Sequence, residues 1–123
     1  MPIQTTGFHH IALRITGLAR SRAFYVDTLG FPTVVGFPGT VIVNAHGTLL
    51  GLRESPAETP SSDHFDPYRV GLDHIALGVA DPGALVELPR QLNSAGVPNN
   101  GIEDDPTMGA QYISFHDPDG IAW

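Results

Sequence analysis

Apolar and polar residues alternate along His10-Ile11-Ala12-Leu13-Arg14-Ile15, and the alternation returns along His74-Ile75-Ala76-Leu77-Gly78-Val79. Each run predicts a strand with one apolar face, because successive side chains of a strand point to opposite sides. Ile11, Leu13 and Ile15 share one face of the first run, with Phe8, His10, Ala12 and Arg14 on the other. In the second, Ile75, Leu77 and Val79 oppose His74, Ala76 and Gly78. Behind each strand comes a helical pattern, at 18–29 and 82–95, closed by Gly30 and Gly96. Further strands are expected at 33–37, 40–45 and 47–54 in the first half, and at 97–102, 110–116 and from 120 onward in the second.

The two halves therefore repeat one another. His-Ile-Ala-Leu is written twice, and Leu29-Gly30-Phe31-Pro32 is echoed by Ala95-Gly96-Val97-Pro98. The pattern is a βαβββ unit used in tandem, which predicts an α+β fold whose curved mixed sheet wraps a cleft. The expected organisation is one domain over 1–123, made of a first unit at 7–54, a linker at 55–70 and a second unit at 71–123. A pseudo-twofold of this kind would bring His10 and His74 together, and two imidazoles on the inner face of a sheet are half of a divalent-metal site. Small residues beside each histidine leave room for a ligand where a plain core would carry bulk.

Composition narrows the chemistry. A chain of 123 residues with 41% hydrophobic content can bury one core. The absence of cysteine excludes disulfides, a thiolate nucleophile and thiolate ligands, so a metal must take nitrogen and oxygen donors. A net charge of −7 argues against nucleic acid and anionic membranes as partners. No apolar run approaches the ~20 residues of a membrane span and the first residues lack a signal-peptide pattern, so a cytoplasmic location is expected. The polar, Pro-rich linker carries His64 and Asp66, which read as parts of a solvated loop.

The first-strand motif running into Ala23-Phe24-Tyr25-Val26-Asp27-Thr28-Leu29-Gly30-Phe31, together with Gly71-Leu72-Asp73-His74-Ile75-Ala76-Leu77 and Phe115-His116-Asp117-Pro118-Asp119-Gly120, resembles the vicinal oxygen chelate superfamily. That superfamily gathers glyoxalases, extradiol dioxygenases, thiol transferases and bleomycin resistance proteins, and the resemblance spans essentially the whole chain. It implies metal ligands at His10 and His74 and further carboxylates from the last strand of each unit. In the first unit that position falls on Gly51, which offers no donor, and Glu54 has the wrong parity to replace it. In the second, the resemblance places a glutamate one position past Trp123. Two histidines and one carboxylate suit Fe(II), Mn(II) or Zn(II) with open positions for substrate.

Parity supplies further candidates. Ile113 and Phe115 should pack inward, turning Tyr112, Ser114 and His116 to the cleft, where Tyr112 and His116 could bind or protonate a substrate. Asn44 and His46 hold comparable places in the first unit. Arg14 and Arg53 could grip an anionic group bidentately. Asp117 and Asp119 read as turn formers, and Phe24, Tyr25 and Phe31 as core. The resemblance implies a metal-dependent enzyme acting on a small molecule with vicinal oxygens, of dioxygenase, lyase, isomerase or thiol transferase type. The alternative is a metal-free protein that sequesters a drug or antibiotic. Either way, a homodimer is expected, because one βαβββ unit is too small to enclose a cavity.

Overall fold

Hydrophobic alternation in the first half is realised as a four-stranded sheet in the computed structural model, which describes residues 2–123. The chain divides into two compact units, 1–62 and 63–123. In the first, β1 (His10–Ile15), β2 (Thr33–Phe37), β3 (Thr40–Asn44) and β4 (Leu49–Glu54) lie in the order β1-β4-β3-β2. β1 runs parallel to β4, and the other pairs are antiparallel. Leu13, Ile15, Val41, Val43, Leu50 and Leu52 are buried on one side, as their spacing requires.

The helix expected at 18–29 begins as α1 (Leu18–Arg22) and then widens into a π-helix over Ala23–Thr28. This departs from the regular helix that the sequence predicts. The extra residue per turn lets the consecutive Phe24 and Tyr25 both be buried, their rings edge to face with centroids 5.0 Å apart. The N-cap of α1 is Gly17, which has no side chain to cap with, and Glu54 at the end of β4 supplies one instead: its Oε1 accepts from the Leu18 amide at 3.2 Å. Glu54 therefore serves the fold.

Ser21 is fully buried in α1, and its Oγ has no hydrogen-bond partner among the described residues. A buried hydroxyl without a partner forfeits its hydration. Ser21→Ala is expected to leave stability unchanged or raise it by about 1 kcal/mol; a thermal melting midpoint lower than that of the unaltered chain would contradict this.

In the second unit, α2 (Pro82–Ser94) starts as a helix should, with Pro82 in the first turn and the Asp81 carboxylate accepting from the Gly83 amide at 2.8 Å. Leu85, Leu88 and the fully buried Leu92 form its inward stripe. Strands are shorter here than the sequence predicts. β5 (Glu103–Asp105) replaces the strand expected at 97–102, and β6 (Ala110–Tyr112) pairs with it antiparallel. Pro98 and the left-handed Gly101 (φ +72°) interrupt the earlier stretch. Beyond β6, Phe115 and Trp123 exchange both backbone hydrogen bonds across a turn, and His116 pairs with Ala122.

The run at 74–79 is not a regular strand. The Ile75 amide bonds to the Ala122 carbonyl at 3.1 Å, and Ile75 is buried. Leu77 and Val79, expected to pack inward, are 37% and 53% exposed. Without a ladder beyond Ile75 nothing holds the later residues to the core side.

Asp117 is 5% exposed and anchors the turn before Ile121. Its Oδ1 accepts from the Asp119 amide at 2.9 Å and from the Ile121 amide at 2.8 Å. Removing the carboxylate strands both donors in a buried place, so Asp117→Ala is expected to lower stability by at least about 1.5–3 kcal/mol. Asp117→Asn keeps an oxygen at that point and should lose less, which chemical denaturation of the two variants will read directly.

Candidate functional site

The first unit carries its candidate chemistry on the face of the sheet opposite the core. His10, Ala12 and Arg14 project there from β1, and their register partners on β4 are Leu49, Gly51 and Arg53. Ile42 of β3 lies beside Gly51, and Val35 and Phe37 of β2 continue the same face with Phe37 55% exposed. The floor between the histidine and the arginines is thus made of Ala12 and Gly51, the two smallest side chains of the ladder. Gly51 is not held to glycine by its backbone, and a Cβ built there would meet Ala12 at 3.8 Å, an ordinary contact. Glycine at 51 leaves the floor open and supplies no donor.

The two arginines differ in their tethering. Arg14 Nη1 donates to the Glu54 carbonyl at 2.9 Å, which fixes one edge of its guanidinium. Arg53 is exposed and has no hydrogen-bond or ion-pair partner among the described residues. Paired guanidiniums in register, one braced and one free, suit a carboxylate or phosphate. They stand about 13 Å along the strand from His10, at the usual rise of ~3.3 Å per residue.

Each candidate histidine is engaged by the residue before it. The Nδ1 atoms of His9 and His10 lie 2.9 Å apart, with the rings edge to face at 5.2 Å between centroids. His74 Nδ1 lies 2.6 Å from Asp73 Oδ1. In both cases Nε2 of the candidate ligand has no partner among the described residues. Strict alternation hides these contacts from a sequence reader, since adjacent strand residues should point to opposite faces. They form because His9 precedes β1 and because residues around Asp73 are not held in a ladder. An acidic or imidazole residue directly before a histidine is the one signal that could have pointed to them.

Of the remaining candidates, Tyr112, Ser114 and His116 are exposed while Ile113 and Phe115 are buried, so alternation holds through this stretch. Asn44 is the last residue of β3, in register with Leu49, and His46 lies in the turn between β3 and β4. Asn44 Oδ1 accepts from the Gly47 amide at 3.0 Å, and His46 adopts a left-handed φ of 53°. Among the described residues no three His, Cys, Asp or Glu side chains gather into a group that could hold an ion. His10 lies in the first unit and His74 in the second, and a neutral imidazole nitrogen is a donor type that suits a borderline divalent metal. No helix among the described residues is long and apolar enough to cross a membrane.

Comparison with known proteins covers nearly the whole chain. The family model of the Glyoxalase/Bleomycin resistance protein/Dioxygenase superfamily matches residues 7–123. The chain is 34% identical over 122 residues to the uncharacterized protein YaeR of Escherichia coli K12, covering 92% of this chain and 89% of that one. Among solved structures, the glyoxylase/bleomycin resistance protein/dioxygenase domain from Frankia sp. EAN1pec is 27% identical with a TM-score of 0.82, over 97% of this chain and 94% of that one. A lactoylglutathione lyase from Agrobacterium tumefaciens shares the fold with a TM-score of 0.73 at 22% identity, over 97% and 91% of the two chains.

Proposed function

The chain belongs to the Glyoxalase/Bleomycin resistance protein/Dioxygenase superfamily, and we propose that within it this protein is a divalent-metal-dependent enzyme acting on a small anionic molecule with vicinal oxygens. The observation that carries this reading is the open face of the first unit. An exposed imidazole, a floor of Ala12 and Gly51, and two register-paired arginines follow one another along β1 and β4.

His10 and His74 would supply the imidazole donors for Fe(II), Mn(II) or Zn(II). When bound, the ion polarises adjacent oxygens of the substrate and stabilises negative charge developing on them. Arg53 takes the anionic group of the substrate, while Arg14, braced on the Glu54 carbonyl, fixes the other edge of that group. Val35, Phe37 and Ile42 give the face an apolar flank beside the charged groups. Tyr112 and His116 are the candidates for holding or moving a substrate proton. The same reading includes a homodimer and a cytoplasmic location.

Calorimetry with Mn(II), Fe(II) and Zn(II) tests the reading, on this chain and on one extended by a glutamate after Trp123. Binding tighter than about millimolar, roughly −4 kcal/mol, is expected. If neither length binds any of the three, the second reading takes over. It is favoured by the exposed aromatic and aliphatic residues of the same sheet face: a metal-free protein that sequesters an apolar drug or antibiotic.

A further inference from the structure

We infer that Asp73 is a positioning residue, whose carboxylate holds the His74 imidazole in its Nδ1–H tautomer and turns Nε2 outward as the nitrogen that meets a metal ion. The inference rests on the reading of His74 as a ligand and adds to it the group that prepares the ligand.

The chemistry of the contact allows one arrangement. An ionised carboxylate can only accept a hydrogen bond, so across the 2.6 Å between Asp73 Oδ1 and His74 Nδ1 the imidazole nitrogen must be the donor. A neutral imidazole carries a single ring proton. With that proton on Nδ1, Nε2 keeps the lone pair that a divalent ion requires. A histidine free in water prefers the opposite tautomer, with the proton on Nε2, but the preference is small. A charge-assisted hydrogen bond can invert it even where both side chains are largely exposed, as here at 59% for His74 and 77% for Asp73.

The first unit makes the contrast clear. There the residue before the histidine is His9, another imidazole, and the two Nδ1 atoms lie 2.9 Å apart. Charge does not dictate which of the two donates. The second unit replaces that neutral neighbour with a carboxylate, so tautomer control is strongest at His74. Carboxylate partners on the second nitrogen of ligating histidines fix ring orientation and raise donor strength, and their loss commonly lowers metal affinity ten- to a hundredfold.

The test begins without metal. Two-bond nitrogen–proton NMR spectra of the full chain, recorded about two pH units above the ordinary imidazole range of ~6.5, report which ring nitrogen carries the proton. His74 is expected as Nδ1–H in the unaltered chain, as Nε2–H in Asp73→Ala, and again as Nδ1–H in Asp73→Glu. Zn(II) calorimetry on the same three proteins should show affinity falling about ten- to a hundredfold in Asp73→Ala, with recovery in Asp73→Glu and equal melting midpoints throughout. An Nε2–H form in the unaltered chain, or an Nδ1–H form that survives Asp73→Ala, overturns the inference. So does a tautomer change that leaves Zn(II) affinity untouched. If the tautomers behave as expected and no protein binds Zn(II), the positioning of His74 stands and the ligand reading alone is lost.

Discussion

His74→Ala is expected to weaken Mn(II) or Zn(II) binding by on the order of a hundredfold or more, and His10→Ala to do the same. Losing the hydrogen-bonded neighbour of a ligating imidazole already costs about ten- to a hundredfold. Removal of the nitrogen donor itself therefore falls at or beyond the upper end. Both histidines are exposed and neither supports the core, so stability should change by no more than about 0.5 kcal/mol. Binding and folding thus separate cleanly in the two variants. Calorimetry and thermal melting on the same samples check both halves, and a variant that binds as tightly as the unaltered chain removes that histidine from the site.

The largest expected effect on stability comes from Leu50→Ala. Leu50 is fully buried at the centre of the four-stranded sheet, in register with Ile11 of β1 on one side and Val43 of β3 on the other. Truncation there removes apolar contacts and leaves a cavity on the buried face of the sheet, whose strand at this point is hydrogen-bonded on both edges and has little freedom to collapse. The expected loss is about 2–5 kcal/mol, against a total of roughly 5–15 kcal/mol for a domain of ordinary stability. Val86→Ala, at an exposed position of α2, should lose less than about 1 kcal/mol. Urea titrations compare the two, with the slope unchanged and the midpoint shifted mainly for Leu50→Ala.

What could be read before folding was whatever repeats with a fixed period. Alternation along 10–15 named the buried side of β1 residue by residue, and the structure buries Leu13 and Ile15 while exposing His10, Ala12 and Arg14. It did the same around Ile113 and Phe115. Gly96 marked the exit of the helix that forms as α2. Such signals are local: a two-residue or 3.6-residue period and a glycine at a helix exit act within a few positions of where they are written.

Tertiary structure decided what depends on a distant partner. Whether Leu77 and Val79 are buried turned on ladder bonds that stop at Ile75, and no residue within that run announces it. The π-helix at Ala23–Thr28 arises because two adjacent aromatic rings must both enter a core built from other strands. Glu54 caps a helix that begins 36 residues before it, a role that parity alone left open. The contacts of His10 with His9 and of His74 with Asp73 exist where the chain escapes strand alternation. The repeated motif was enough to nominate the two histidines; which nitrogen each presents was left to side-chain geometry, because a proton's place on an imidazole is set by the hydrogen bond it makes and not by the order of residues.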